Sequence, residues 1–242
     1  MNPVVPLAIV SVLSAKGAWK RVNDCSSPVV RPPAKVSIIM PIWNEPENFV
    51  MTAINSLKHQ NVVRAYPEMF EFIVVDGVPY VDKIRPLVDK VLHAPRGKLK
   101  ARHLAIQHAI GDIIVSVDGD TYYPCNWLNL VLQPFHDPEV VAVTTTKHMD
   151  GIEPLANLVK VVYYGSVMLG RGSAFTKDAY FRTGGFNLSA DEGDITTLQM
   201  EEEFMFYKRL SRVGKVKYVD APVVHLGEDT FYKMKEGRGL RS

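Results

Sequence analysis

Cysteine is almost missing from this chain of 242 residues, and the two present, Cys25 and Cys125, lie too far apart for a Cys-x-x-Cys zinc or redox site. They give no support for a disulfide framework, so a reducing, cytoplasmic setting is expected. An excess of either charge is missing too. With 28 Lys and Arg against 26 Asp and Glu, the formal net charge of +2 supplies neither a nucleic-acid-binding field nor an acidic tail. No nucleic acid partner is expected, and any anion must be held by local groups. No run reaches the roughly 18–20 apolar residues that cross a bilayer. The nearest stretch, Pro3 to Leu13, is short, broken by Pro6 and without a basic start, although Lys16, Lys20 and Arg21 follow it. It reads either as an extension packed on the domain or poorly ordered, or as a peripheral anchor on a membrane surface. No Gly-x-Gly-x-x-Gly or other Gly-rich loop stands after the first strand, as a dinucleotide oxidoreductase or a nucleotidyltransferase would need. No Gly-x-Ser-x-Gly elbow offers a covalent nucleophile.

What is present points to an α/β enzyme. Apolar residues make up 47% of the chain, ordinary for a globular protein with a real core. From Gly111 to Thr121 the text is Gly-Asp-Ile-Ile-Val-Ser-Val-Asp-Gly-Asp-Thr. Its unbroken apolar run reads as a strand buried on both faces, delivering Asp118 and Asp120 at its carboxyl end. Open α/β sheets bind ligands at that end. Two carboxylates so close repel each other in a dry site unless positive charge stands beside them. A magnesium or manganese ion carrying a diphosphate supplies that charge, because such ions take carboxylate and phosphate oxygens. Gly119 fits by adding no side chain between metal and backbone. The alternative is a simple turn, which Asp-Gly-Asp-Thr also suits.

Asn23 to Lys35 is rich in Ser and Pro and reads as a linker, with a domain starting at Val36. Val36 to Ile42 reads as a strand, and Trp43-Asn44-Glu45-Pro46 as a turn whose proline opens a helix to about His59. Phe70 to Val75 is a second strand, ended by Asp76-Gly77, and Val91 to Ala94 a short third. Gly97 to Ile110 reads as a helix with Leu99, Ile106 and Ile110 at helical spacing, and with Lys98 and Arg102 four apart near its start. A phosphate can use those cations and the helix amino terminus; a solvated basic face is the alternative. Parallel strands joined by helices gather Glu45, Asp76, Asp118 and Asp120 on one sheet edge.

The order strand-Pro-x-x-Asn-Glu, strand-Asp-Gly, Gly-Lys-x-x-Ala-Arg and Gly-Asp-x-x-x-x-x-Asp-x-Asp resembles the nucleotide-sugar glycosyltransferases of family 2, from Val36 to about His225. The resemblance implies the GT-A fold, a Rossmann-like, mostly parallel central sheet flanked by helices in a single α/β domain. It implies an inverting transfer from a nucleoside-diphosphate sugar, with Mn2+ or Mg2+ on the Asp-x-Asp. By that resemblance Pro41, Asn44, Glu45 and Asp76 line the nucleoside pocket, Lys98 and Arg102 sit beside the donor, and Asp118, Gly119 and Asp120 serve the sugar, ribose and metal. A UDP-sugar is the favoured donor, with a GDP-sugar the alternative, and the acceptor is a hydroxyl of a glycan or of a lipid- or protein-linked sugar. One departure stands out. The family often carries Asp-Asp-Gly-Ser-x-Asp after the second strand, whereas Asp76-Gly77-Val78-Pro79-Tyr80-Val81-Asp82 keeps a single Asp and no serine, which leaves the nucleotide open.

In the second half, Pro124 to Phe135 has apolar residues at helical intervals and Glu139 to Thr145 reads as a strand. Trp127, Tyr163, Tyr164 and Phe175 read as core aromatics, with sugar stacking the alternative. The resemblance places a glycine-rich passage, here Gly172 with Thr183-Gly184-Gly185-Phe186, on the acceptor side. A helix is expected over Glu201 to Val213, closed by Gly214. Acids at its start and cations near its end also suit the helix dipole without any function. In the family a Glu-Asp pair precedes an Arg-Leu, and Arg209-Leu210 sets that register on Glu202 and Glu203. Glu203 is then the general base and Glu202 its neighbour. Lys215 to Asp220 reads as a strand, and His225 after it resembles a position that supplies a further metal ligand; a structural histidine is the alternative.

The expected organisation is an extension and linker over 1–35, the glycosyltransferase domain over 36–225, and a basic tail or lid over 226–242. The domain divides into a nucleotide-sugar-binding half (36–122) and an acceptor half (123–225). The Gln-x-x-Arg-Trp of processive members is absent, so transfer of one or a few sugars is expected. From another class, the alternative is a catalytically inactive nucleotide-sugar or glycan-binding module of the same fold. The retained Asp118, Asp120 and Glu203 stand against it.

Overall fold

A computed structural model describes residues 17–94, 96–145, 172–192, 202 and 205–227. Four strands, β1 (Val36–Pro41), β2 (Phe70–Asp76), β3 (Lys90–His93) and β4 (Ile113–Ser116), pair in parallel. β5 (Thr121–Tyr122) leaves the sheet. β6 (Val140–Thr145), β7 (Ser173–Thr176) and β8 (Lys215–Val219) complete it, with β7 antiparallel between β4 and β6 and β8 parallel to β6. The seven strands run in the order β3-β2-β1-β4-β7-β6-β8. A separate ribbon joins β5 to β9 (Val224–His225).

Every residue of β1 and β4 is buried, because helices cover both faces of the sheet. Alternation along the strands sends Ile38, Met40, Phe72, Val74 and Val115 to one face. There they meet Val50, Ala53, Ile54 and Leu57 of α2 (Glu47–Lys58). Ile39, Ile73, Val75, Ile114 and Phe175 point to the other face, against Ala101, Ala105 and Ile106 of α5 (Lys98–His108), which follows the short helices α3 (Asn61–Ala65) and α4 (Val81–Ile84). Trp127 and Phe175 are fully buried, so both are core aromatics. The helix expected through Ile110 stops earlier. Ala109 takes an extended conformation, the Ile110 amide donates to Glu71 Oε2 at 3.0 Å, and the Ile110 side chain is 57% exposed. The inward stripe is instead Leu99, Ala101, Arg102, Ala105 and Ile106, with a charged residue in its middle.

A second correction concerns the cysteines, since Cys25 and Cys125 form a disulfide. The cause is tertiary. A helix over 17–22, α1, and the strap after it lie along the start of α6 (Trp127–Leu132). The Asn126 amide donates to Val22 O at 2.9 Å and its side-chain nitrogen to Arg21 O at 3.0 Å. Asn129 accepts from the Val30 amide at 3.2 Å and donates to Pro28 O at 3.2 Å. These contacts bring together sulfurs from residues 100 positions apart, which no spacing rule records. The ground for expecting a reducing setting is thereby removed. Closing so long a loop restricts the unfolded chain and is worth about 2–4 kcal/mol. Reductant, or the paired Cys25→Ser and Cys125→Ser change, is therefore expected to lower the melting temperature by at least about 4 °C. Identical melting curves with and without reductant would show that the bond contributes nothing.

Among the described residues no helix is long and apolar enough to cross a membrane. Pro3 to Leu13, Tyr163, Tyr164, Glu201, Glu203 and the tail from 228 lie outside the described residues.

Candidate active site

The carboxyl edge of β2, β1 and β4 carries the expected donor-side residues. Pairing continues past the strands, with the Ile42 amide donating to Val75 O at 2.9 Å and Val117 to Ile39 O at 3.0 Å. Pro41 ends β1 in a buried position and Asn44 is exposed. Glu45 closes its own turn, Oε2 accepting from the amides of Trp43 at 2.6 Å and Asn44 at 3.1 Å. The Tyr80 hydroxyl donates to the Glu45 carbonyl. Burial, with the carboxylates of Glu45 and Glu47, pushes that phenol up to about 12 and keeps it a donor. Asp76 lies 3.7 Å from His93 Nδ1. Beside this turn Trp43 is 49% exposed, with the Arg96 guanidinium 5.8 Å from its ring centre.

Asp118 is held by cations of its own chain. Lys98 Nζ stands 3.1 Å and Arg102 Nη2 3.0 Å from the same Oδ1, as their four-residue spacing on α5 allows. Arg102 is 1% exposed and Asp118 5%, and charges buried to this degree need partners. The Asp118 amide donates to the Tyr123 hydroxyl at 2.9 Å, and Tyr123 packs on Trp127 with ring centres 4.7 Å apart. Burial and then the Asp118 charge push the Tyr123 phenol well up, so it too stays protonated. Carboxylate repulsion alone therefore does not call for a metal.

Two further expectations change. The amino terminus of α5 does not lie open for phosphate, because Asp191 accepts from the amides of Leu99 at 3.2 Å and Lys100 at 2.8 Å. Gly97, at φ 141°, leaves room for that carboxylate; a Cβ there would lie 2.5 Å from Asp191 Oδ2. At Gly119 a Cβ would come within 2.8 Å of Ile42 Cγ2 and 3.3 Å of Val50 Cγ2. Packing over β1 and α2 thus requires that glycine, not the approach of a metal.

Asp120 meets His225 across the β5–β9 ribbon. The register places Thr121 opposite His225, the Leu226 amide donates to Asp120 O at 2.7 Å, and His225 Nε2 stands 3.0 Å from Asp120 Oδ2. His225 Nδ1 accepts from the Gly227 amide at 2.8 Å, which turns Nε2 toward the carboxylate. The Asp120 carboxylate suits manganese or magnesium, and with Nδ1 accepting, the ring proton sits on Nε2 toward that carboxylate, so the imidazole would join it as a ligand only after that proton moves. Among the described residues no three His, Cys, Asp or Glu side chains form a metal-holding group. Asp120 is thus the candidate metal ligand, with His225 beside it to join once its proton moves, and Asp118 is turned to Lys98 and Arg102.

Of the glycines expected on the acceptor side, Gly172 lies against Trp127, where a Cβ would be 2.9 Å from the ring. Gly184 and Gly185 both have positive φ, 80° and 69°, and form the turn after the helix Lys177–Arg182. Glu202 is buried and tied to Arg209. Asp191, Tyr80, Tyr123 and Tyr180 were not singled out as site residues from the sequence. Their partners lie up to 92 positions away, and no local motif marks them.

Residues 37–187 match the model of glycosyl transferase family 2. An N-acetylglucosaminyltransferase of Neorhizobium galegae is 30% identical over 141 residues, covering 53% of this chain and 30% of that protein. A hyaluronan synthase of Streptococcus pyogenes is 27% identical over 124 residues, covering 46% and 29%. The chain thus spans less than a third of the length of these curated relatives. A mannosyltransferase from Pyrobaculum calidifontis, in complex with GDP-Man and Mn2+, superposes with a TM-score of 0.64 at 19% identity, covering 97% of this chain and 70% of that one. Glucosyl-3-phosphoglycerate synthase from Mycobacterium tuberculosis, in complex with Mn2+, UDP and phosphoglyceric acid, superposes at 0.58 and 14% identity, covering 90% and 79%. The shared architecture is the GT-A fold.

Proposed function

Since this chain belongs to glycosyl transferase family 2, we propose that it moves a sugar from a nucleoside-diphosphate sugar to a hydroxyl acceptor, inverting the anomeric centre. The observation that carries the reading is the Asp120–His225 pair beside an Asp118 gripped by Lys98 and Arg102, all at the ligand-binding edge of the sheet. Asp120 and His225 would hold Mn2+ or Mg2+. The cation, when bound, supplies charge stabilisation for the departing diphosphate. Lys98, 39% exposed, is placed to add a second positive charge there, and Arg102 orients Asp118 toward the sugar and ribose. Pro41, Asn44, Glu45 and Asp76 border the nucleoside. Glu203, which precedes Arg209 by six positions, accepts the acceptor proton as the acceptor oxygen bonds the anomeric carbon and the bond to the diphosphate breaks.

A UDP-sugar is the favoured donor and a GDP-sugar the alternative. The acceptor is a glycan or a lipid- or protein-linked sugar, and the transfer adds one or a few units. Peripheral membrane contact by the N-terminal extension would suit a lipid-linked acceptor.

The test is nucleoside diphosphate release from a panel of UDP-, GDP- and dTDP-sugars, with manganese or magnesium and with chelator. One donor is expected to turn over, only with metal, and Glu203→Gln is expected to slow it by about 10²-fold or more. Donor binding by calorimetry with no turnover against any acceptor would favour the inactive binding module. Neither binding nor turnover would remove both readings.

A further inference from the structure

The turn at Gly184–Asn187 is fixed from all sides by groups outside it. The Gly185 amide donates to Tyr180 O at 2.9 Å and the Phe186 amide to the Tyr180 hydroxyl at 3.3 Å. That hydroxyl also lies 2.8 Å from His103 Nδ1, one residue beyond the Arg102 that holds Asp118. The Phe186 ring packs on Tyr180 and Phe206, with centres 5.2 and 4.6 Å apart. Two contacts then come from the opposite side. Arg209 Nη2 donates to Gly185 O at 2.9 Å and to Glu202 Oε1 at 2.5 Å, and the same Oε1 accepts from the Asn187 amide at 2.8 Å. Glu202 and Arg209 are seven positions apart, the spacing of two helical turns, so one guanidinium and one carboxylate bracket the turn as a unit.

We propose that Arg209 is a positioning residue of the transfer site, locking the Gly184–Asn187 turn to Glu202 and so aligning the acceptor. The proposal rests on the glycosyltransferase reading above. In this arrangement Glu202 is an anchor. Its Oε1 is committed to two donors and the residue is 6% exposed. Arg209 touches no reacting atom; it acts through the turn, where a displacement of about 1 Å is enough to cost 10²-fold in rate. Both bonds come from the single Nη2, so a lysine ammonium keeps the charge and donor protons but not the planar reach of the guanidinium.

The experiment compares the full chain with Arg209→Lys and Arg209→Met under Mn2+. It reads three quantities: donor affinity by calorimetry, hydrolysis of the donor by water, and transfer to a panel of p-nitrophenyl glycosides. Transfer is expected to fall at least tenfold in Arg209→Met, as lower kcat or higher acceptor KM, while donor affinity and hydrolysis stay within threefold. Arg209→Lys should recover part of the transfer. Equal loss of hydrolysis and transfer, or no loss of either, would overturn the proposal. Amide exchange gives a second readout that needs no turnover. Exchange at Phe186 and Asn187 should quicken at least tenfold in Arg209→Met, and unchanged exchange would overturn the anchoring even if wild type turned over no donor. Wild-type inactivity with quickened exchange would remove the transferase reading and leave the anchoring in place.

Discussion

Replacing Asp120 by alanine is expected to lower metal-dependent turnover by about 10³-fold or more, the loss of several kcal/mol of transition-state stabilisation that a bound cation supplies. The geometry makes this the most costly single change at the site. Asp120 and His225 are the carboxylate and imidazole that face each other at 3.0 Å, and Asp118 is engaged with Lys98 and Arg102. Removing Asp120 leaves a single nitrogen, too little to hold manganese against water. Stability should change little, since the Asp120 side chain is a quarter exposed and its backbone bond to Leu226 survives. The measurement is diphosphate release against manganese concentration for wild type and Asp120→Ala, with melting curves alongside. Activity in Asp120→Ala that matches wild type and resists chelator would sink the metal assignment. His225→Ala should act in the same direction more weakly, raising the manganese concentration needed.

The second large effect is on stability. Arg102→Met is expected to cost about 3 kcal/mol, because it leaves the Asp118 carboxylate buried with a charge partner removed. For a chain of this size that lowers the melting temperature by roughly 6–12 °C. Lys98 limits the loss, since its ammonium still lies 3.1 Å from Asp118. The double change Arg102→Met with Asp118→Asn should recover part of the stability by removing the stranded charge, though not the activity. A fall below 2 °C for Arg102→Met would show that the Asp118 charge is held without Arg102.

The predictions differ in how far the sequence supports them. Lys98 and Arg102 were paired from four-residue spacing, and both do reach one oxygen of Asp118, because helical periodicity is a local property. The placement of Asp118 beyond a buried strand follows from the length and composition of Ile113–Val117 in the same way. The end of α5 differs by two residues from what apolar spacing indicates, since that spacing continues to Ile110 whereas Ala109 turns extended and the Ile110 amide goes to Glu71. Asp191 and Tyr180 carry no sequence signal for a different cause. A capping carboxylate 92 positions from its helix and a tyrosine hydroxyl reaching His103 across 77 leave no trace in neighbouring residues.

By itself the sequence determined the parallel β-α framework, the edge on which the carboxylates collect and the family-wide order of motifs, since these depend on periodicity and on strand and helix propensities read over a few residues. Only the tertiary structure decided what each charge does. It gave Asp118 to two cations and Asp120 to His225, filled the amino terminus of α5 with Asp191, made Glu202 an anchor, and joined Cys25 to Cys125. The physical reason is that a side chain's partner is set by packing between segments distant in the chain. A charge or thiol carries no local signal of which distant group will meet it when the layers close.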